Sequence, residues 1–138
     1  MECVLDCSLA LAWGLPDEVS MRADRVLARA SRTSVFWVPA LWWYEVSNAL
    51  TMAHRRKRLT DSDRTHLVEL YARLPIQTDT YLGSDIILRL SGLVEKYRLS
   101  AYDAAYLELA QRRGLVLASL DLSLNSAARR AGVEVISR

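Results

Sequence analysis

The sequence contains little cysteine and little histidine, with two residues of each type in 138. Cys3 and Cys7 are four residues apart on a predicted strand, which separates their Cα atoms by about 13 Å. That distance is too long for a disulfide, so we expect two buried thiols in a reducing compartment. His54 and His66 have no cysteine partner at a useful spacing, which excludes a zinc site of the Cys/His type.

The start of the chain also lacks the features of a targeting or membrane segment. The stretch MECVLDCSLALAWGLP has no basic region, and Glu2 and Asp6 interrupt its apolar run. These features exclude a signal peptide and a transmembrane helix there, so we expect a cytoplasmic protein. The formal net charge of +2 permits a nucleic-acid partner without arguing for one, because a basic footprint must be clustered.

No linker rich in glycine or serine, no repeat and no low-complexity tract divides the chain, so residues 1–138 are predicted to form one domain. Short apolar segments alternate with helical patterns. The predicted strands are residues 3–6, 34–39, 76–79, 114–121 and 133–137. Strands separated by helices are typical of βαβ units, in which helices cover both faces of a parallel sheet. The predicted fold class is α/β, with a mostly parallel sheet of about four to five strands.

The segment SAYDAAYLELA, residues 100–110, reads as an amphipathic helix with one misplaced acid. A helical projection places Asp103 in the same arc as Tyr102, Tyr106 and Leu107, and it places Glu108 on the opposite, polar face. A carboxylate on an apolar face is unfavourable unless something pairs with it. Asp103 is therefore a candidate functional residue.

Three other acids share this property. Glu45 lies in the arc of Trp42, in the predicted helix that follows the second strand, and Asp6 and Asp121 end the two most hydrophobic strands. In an open parallel sheet, ligands bind outside the carboxyl ends of the strands, where the strand order reverses. We therefore expect all four acids to converge on that edge.

Each acid also has a local explanation. Asp121 can cap the helix that follows it, and Asp6 can be a turn residue at the end of its strand. Ser100 and Asp103 can form a pair that resembles a capping box. Glu45 has the weakest local alternative, since no basic residue accompanies it on its face. Local roles explain the acids singly, but they do not explain comparable positions on one sheet.

Converging carboxylates need a counter-charge, because like charges a few ångströms apart cannot all remain ionised. No lysine or arginine is adjacent in sequence to any of the four acids. A hard divalent cation supplies the charge, and Mg²⁺ or Mn²⁺ suits an all-carboxylate site better than zinc does. Such a site is suited to the attack of water on a phosphodiester. An aspartyl phosphotransferase would instead need Asp-x-Asp, where this chain has Asp6-Cys7-Ser8.

The segments VLDCS, YEVSNAL, LSAYDAAYLELA and LASLD follow one another in this order along the chain. Together they resemble PIN domains, and in particular the VapC ribonuclease toxins of prokaryotic toxin–antitoxin pairs. The resemblance covers the whole length and implies a PIN-like three-layer sandwich. The family's acidic quartet matches Asp6, Glu45, Asp103 and Asp121. The polar residues that accompany the quartet match Ser8, Asn48 and Ser119, the last standing where threonine is usual.

The resemblance implies an endoribonuclease that depends on Mg²⁺ or Mn²⁺, with the four acids as catalytic and metal-binding residues. It assigns Ser8, Asn48 and Ser119 to substrate binding or to support of the acids. It also implies a homodimer and neutralisation by a small cognate antitoxin. Two alternatives stay open: a PIN nuclease of RNA processing or decay, and a non-catalytic PIN scaffold, against which the intact acids argue.

Two further features bear on partners. The basic run HRRKR, residues 54–58, can grip an RNA backbone or complement the dipole at a helix end. Trp42 is predicted to be buried, whereas Trp43 projects away from the apolar arc. Trp43 is therefore a candidate contact for a second protomer or for the antitoxin, with core packing as the alternative.

Overall fold

The computed structural model describes residues 1–136, and its central sheet is parallel throughout. The strands are β1 (Glu2–Leu5), β2 (Val35–Pro39), β3 (Ile76–Asp79) and β4 (Val116–Ala118). They lie in the order β3-β2-β1-β4, so the strand order reverses between β1 and β4. This reversal is where an open α/β sheet forms a crevice for a ligand.

The predicted fifth strand at residues 133–137 is present only as a single parallel bridge between Leu117 and Val135. Its partner β4 is three residues long, which leaves little edge on which a longer ladder can form. Ser137, the last residue of that predicted strand, lies outside the described residues.

Residues 1–136 also form seven helices. They are α1 (Cys7–Leu11), α2 (Met21–Ala28), α3 (Leu41–Arg55), α4 (Asp61–Arg73), α5 (Ser84–Tyr97), α6 (Ala101–Arg113) and α7 (Leu122–Arg130). Among them, none is both long enough and apolar enough to cross a membrane.

The direction of each crossover decides which face its helices cover. Crossovers between parallel strands are right-handed. The connections from β1 to β2 and from β2 to β3 run in the same direction across the sheet, so their helices, α1 to α4, lie on one face. The connection from β3 to β4 runs back across the sheet and places α5 and α6 on the other face. The α/β prediction is confirmed, with helices on both sides of a parallel sheet.

Sequence capping signals mark where two of the helices begin or end. The Thr60 hydroxyl accepts a hydrogen bond from the Asp63 N–H, and the Asp63 carboxylate accepts one from the Thr60 N–H, which forms a complete capping box at the start of α4. Gly132, just beyond α7, adopts a φ of +78°, a left-handed conformation that favours glycine.

The core explains one correct and one incorrect prediction. Cys3, Val4 and Leu5 on the central strand β1 are completely buried, as expected for a strand covered on both faces. Helix α6 is buried from Ala104 to Ala110, because it crosses the sheet and also packs against α5 and α7. The predicted polar face of α6 was therefore wrong: Glu108 is 3 % exposed, whereas Tyr102, predicted on the apolar face, is 67 % exposed.

Candidate active site

Asp6 lies directly after β1 and is 5 % exposed. Its Oδ2 atom accepts hydrogen bonds from the hydroxyls of Ser8 at 2.6 Å and Ser119 at 2.7 Å. Each hydroxyl also accepts a backbone N–H at 3.0 Å, from Leu120 for Ser8 and from Asp121 for Ser119. Because the backbone bonds use hydroxyl lone pairs, both hydroxyl protons remain available for Asp6. The Asp6 carboxylate is therefore held in one orientation.

The sheet register explains why Ser119 reaches Asp6 from 113 residues away. Leu5 pairs with Ala118 between β1 and β4, and the Asp6 N–H donates to the Ala118 carbonyl at 3.0 Å. The next residue on each strand is then a neighbour at the carboxyl edge. Parallel pairing of β1 with β4 thus places the serine that follows β4 against the aspartate that follows β1.

Asp121 caps α7, since its Oδ1 accepts a hydrogen bond from the Leu124 N–H at 3.0 Å. The local explanation for this acid is therefore confirmed. Asp121 also acts on the other acids: burial raises the pKa of Asp6 and of Asp103, and the nearby charge of Asp121 raises both further. Asp121 therefore caps α7 and also lies among the four acids.

Asp103 is half-buried in the first turn of α6. The Ser100 hydroxyl accepts the Asp103 N–H at 3.1 Å, so Ser100 caps the helix as predicted. This bond uses the backbone of Asp103 and leaves its carboxylate available for another partner. Burial raises the pKa of Asp103, and the charges of Asp121 and Asp6 raise it further.

Glu45 is half-buried on α3, about one turn after the start of that helix. The Tyr106 hydroxyl donates a hydrogen bond to its Oε1 atom. Burial raises the pKa of Glu45 by more than the Tyr106 hydrogen bond lowers it, and the charges of Asp6 and Asp103 raise it further. Tyr106 was predicted only as a core residue. Its signal in the sequence was the hydroxyl itself, since a buried tyrosine usually needs a hydrogen-bond partner.

Asn48 stands apart from this cluster. It is exposed on α3, one turn after Glu45, and no hydrogen bond within residues 1–136 joins its side chain to an acid. The role assigned to Asn48 by resemblance therefore stays a prediction.

The acidic cluster, defined as Asp6, Glu45, Asp103 and Asp121, has no internal neutralisation. Within residues 1–136 none of its members takes part in an ion pair, and burial and mutual repulsion raise the pKa of the first three. The all-oxygen donor set fits Mg²⁺ or Mn²⁺. No three Asp, Glu, His or Cys side chains of the described part form a ready-made metal site. Mg²⁺ does not require one, because it keeps several waters and is usually bound through one or two carboxylates.

The basic run at residues 54–58 is partly neutralised. Arg58 forms ion pairs with Asp17 at 2.6 Å and Glu18 at 3.4 Å, and His54 lies 2.8 Å from Asp61. Residues 55–57 remain exposed beyond these pairs. Contact between this run and RNA stays a prediction.

The two adjacent tryptophans behave differently. Trp42 is completely buried, as predicted, and packs edge-on against Tyr71. Trp43 is 40 % exposed, and its indole N–H donates to the Thr78 hydroxyl at 2.8 Å. Trp43 thus retains exposed aromatic surface on which another protein can pack.

The fold and the site define a small α/β protein with an acidic cluster at the carboxyl edge of a parallel sheet. A family model described as the PIN domain matches residues 3–130, and the chain belongs to this family.

The chain is similar to proteins that cover most of its length. Ribonuclease VapC3 of Pyrobaculum aerophilum is 28 % identical over 124 residues, which span 90 % of this chain and 92 % of that protein. The crystal structure of PAE2754 from Pyrobaculum aerophilum has 25 % identity and a TM-score of 0.69, covering 99 % of this chain and 84 % of that one. A toxin–antitoxin complex from Klebsiella pneumoniae has 19 % identity and a TM-score of 0.58, covering 90 % of each chain.

Proposed function

We propose that this PIN-domain protein is an endoribonuclease dependent on Mg²⁺ or Mn²⁺, and that it acts as the toxin of a VapBC-type toxin–antitoxin pair. The observation that carries the proposal is the acidic cluster, which has no ion-pair partner within residues 1–136 and in which burial and neighbouring acidic charges raise the pKa of Asp6, Glu45 and Asp103. Such repulsion is relieved when a cation binds. An acidic cation site at the crevice of an α/β sheet suits phosphodiester hydrolysis.

Asp6, Asp103 and Asp121 would hold the cation, with Glu45 beside them. A bound Mg²⁺ or Mn²⁺ supplies a water of lowered pKa and offsets the negative charge of the scissile phosphate. Asp6 is prepared for this role by the hydroxyls that fix its orientation. The raised pKa of Glu45 suits a group that accepts a proton from the attacking water.

The toxin role rests on the resemblance to VapC proteins and on the relative named Ribonuclease VapC3. A protein of the same fold occurs in a toxin–antitoxin complex, which supports a small antitoxin as the partner of this chain. A PIN nuclease of RNA processing or decay is the alternative activity, and a non-catalytic scaffold is the alternative without activity.

Cleavage of a randomised pool of labelled single-stranded RNA tests the nuclease activity. The purified protein, free of antitoxin, should cleave this pool with Mg²⁺ or Mn²⁺, and excess EDTA should stop the reaction. Asp103→Asn should reduce the rate at least about 100-fold, because it removes a cation-binding charge worth several kcal/mol. Asp85→Asn is the matched control, since Asp85 is an exposed aspartate in the first turn of α5.

The outcomes separate the alternatives. Cleavage that persists in excess EDTA would contradict the metal mechanism. A wild-type protein that leaves the RNA pool intact with either metal would favour the scaffold.

Induction in cells tests the toxin role. Wild-type protein should arrest growth, whereas Asp6→Asn should not, and a short upstream gene should restore growth when co-expressed. Sequencing of RNA ends after brief induction would identify the target. RNA cleavage without growth arrest would favour the processing nuclease over the toxin.

We also propose that the chain forms a homodimer. Helix α5 has no buried residue and exposes Ile87 and Leu88, at 65 % and 78 %, and Trp43 adds exposed aromatic surface on α3. Apolar patches of this kind are typical of protein interfaces. Size-exclusion chromatography with light scattering measures the mass, and a monomer at micromolar concentration would contradict the proposal.

A further inference from the structure

Tyr106 is a buried tyrosine whose hydroxyl is directed at an acid of the site. It lies on α6, one turn after Asp103, and is completely buried. Its hydroxyl donates to Glu45 on α3, 61 residues earlier in the chain. Within residues 1–136 this is the only hydrogen bond made by the Glu45 carboxylate. The core residue Tyr106 therefore fixes the position of one carboxylate oxygen of Glu45.

The two partners differ in how freely they can move. The Tyr106 ring has two side-chain torsions and is enclosed by the core, whereas Glu45 is half-buried and has three. Fixing a glutamate side chain in one rotamer costs conformational entropy. A rigid donor that selects one rotamer before substrate arrives removes part of that cost from the binding step.

The charges of the pair fix the direction of the hydrogen bond. Burial raises the pKa of Tyr106, and Cys7 and Asp6 raise it further, so the phenol keeps its proton and remains the donor. Its bond to Glu45 lowers the pKa of that carboxyl, against the larger effect of burial. The Tyr106 hydroxyl thus donates to the Glu45 carboxylate and fixes the orientation of the oxygen that accepts the hydrogen bond.

The same bond connects two elements that carry acids of the cluster. Glu45 is on α3, which belongs to one helical layer, and Tyr106 shares α6 in the other layer with Asp103. A contact from α6 to Glu45 therefore sets the separation of Glu45 and Asp103 across the carboxyl edge of the sheet. Asp6 is held independently, by Ser8 and Ser119.

We propose that Tyr106 is a positioning residue, which holds the Glu45 carboxylate relative to Asp103 in the geometry that binds a divalent cation and the scissile phosphate. The inference rests on the proposed nuclease function. Tyr106 has no contact with the reacting atoms in this scheme, and its effect on them passes through Glu45.

The test compares Tyr106→Phe with Tyr71→Phe. Tyr71 is a matched control because it is 6 % exposed and its hydroxyl donates to the backbone carbonyl of Ala10 at 2.9 Å rather than to an acid. Each substitution removes one hydrogen bond made by a buried tyrosine hydroxyl, so the two losses of stability should be comparable. Both variants should therefore show a similar loss in urea unfolding.

The binding and kinetic readouts should separate the two variants. Tyr106→Phe should weaken Mn²⁺ binding about 10-fold in calorimetry of the RNA-free protein, and it should lower kcat for the RNA pool about 10- to 100-fold, as loss of a supporting contact does. The KM for RNA should change little. Tyr71→Phe should leave the Mn²⁺ affinity and kcat at the wild-type values.

A double-mutant cycle tests whether the effect passes through Glu45. In a Glu45→Ala protein, which lacks the acceptor of the Tyr106 hydrogen bond, Tyr106→Phe should change Mn²⁺ affinity and kcat less than about 2-fold, because coupled residues are strongly non-additive. An equal effect of Tyr106→Phe with and without Glu45 would overturn the inference. Wild-type values in Tyr106→Phe, or an equal loss in Tyr71→Phe, would also overturn it.

Failure of the proposed function has a different signature. A wild-type protein that neither binds Mn²⁺ nor cleaves RNA would remove the nuclease proposal, and this inference with it. A wild-type protein that does both, beside an unaffected Tyr106→Phe, would remove only the role of Tyr106.

Discussion

Asp6 and Asp79 are both aspartates at the carboxyl end of a parallel strand, and they are 5 % and 7 % exposed. Their surroundings are opposite in charge. Asp6 receives two serine hydroxyls and has acidic neighbours, whereas Asp79 forms ion pairs with Arg112 at 2.6 Å and Arg113 at 2.9 Å.

The pKa directions follow this difference. Burial raises the pKa of Asp6, and the serine hydrogen bonds do not compensate for it. Burial also acts to raise the pKa of Asp79, but the hydrogen bonds from Arg112 and Arg113 outweigh it and hold that pKa below its usual value. The same residue type at the same edge of the sheet therefore has acidic neighbours at Asp6 and neutralising arginines at Asp79.

The Asp79 site is part of a larger network. Arg112 also contacts Glu108 at 2.7 Å, Arg89 approaches Glu108 at 3.4 Å, and the Arg112 guanidinium lies 4.6 Å from the centre of the Tyr81 ring. We call Asp79, Glu108, Arg89, Arg112 and Arg113 the arginine network. It fastens α5, α6 and β3 to one another, which is a structural role. Ion pairing therefore distinguishes the buried Asp79 from the buried Asp6, which has no ion-pair partner within residues 1–136.

The largest expected effect is a difference in stability between two matched variants. Asp79→Asn should lower the free energy of unfolding by about 3 kcal/mol, because it removes the charge of a buried carboxylate that pairs with both Arg112 and Arg113. Asp103→Asn should raise it by about 1 kcal/mol, because it removes repulsion within the acidic cluster. Urea unfolding in EDTA measures both. Destabilisation of similar size in both variants would contradict the distinction between the two groups of acids.

The pH dependence of these differences should also be opposite. The folded pKa of Asp79 is lowered, so its stabilising contribution is complete above the unfolded value of about 3.9 and is lost as the pH falls through the folded pKa below it. The folded pKa of Asp103 is raised, so its destabilising contribution is present at neutral pH and disappears as the pH falls through the folded pKa toward about 3.9.

Unfolding of the wild type and the two variants between pH 7 and pH 4, without divalent cations, measures this prediction. The stability gain of Asp103→Asn should shrink over that range, while the loss in Asp79→Asn should persist to about pH 4. A gain in Asp103→Asn that grows as the pH falls would contradict the assignment of a raised pKa to Asp103.

The smallest expected effect on stability is that of replacing Arg89 in the arginine network. The Arg89 side chain is 49 % exposed and only approaches Glu108, which Arg112 already neutralises. Arg89→Ala should therefore lower the free energy of unfolding by less than about 1 kcal/mol, as is usual for exposed ion pairs. Arg112→Ala provides the comparison. A loss in Arg89→Ala as large as that in Arg112→Ala would show that Arg89 is an essential member of the network.

The sequence predicted the local parts of the site but not all of its surroundings. Ser100 and Asp121 were predicted caps, and both make the expected hydrogen bonds, since capping involves residues three apart. Glu108 was predicted on a polar face and is buried, because helical periodicity cannot show that α5 and Arg89 cover that face. Asp79 ended a predicted strand as Asp6 and Asp121 do, and the rule of acids at strand ends could not separate them.

The sequence by itself determined the α/β class, the approximate positions of β1 to β4, the place of Asp6 directly after β1 and the role of Asp121 as the cap of α7. Periodicity and capping act over a few residues, so they can be read from neighbouring positions. Only the tertiary structure decided that Arg112 and Arg113 neutralise Asp79 from 33 and 34 residues away, and that Tyr106 reaches Glu45 from 61 residues away. Whether a carboxylate is neutralised or supported depends on which helices and strands pack together. Residues that are close in space can be far apart along the chain, so these contacts cannot be read from neighbouring positions.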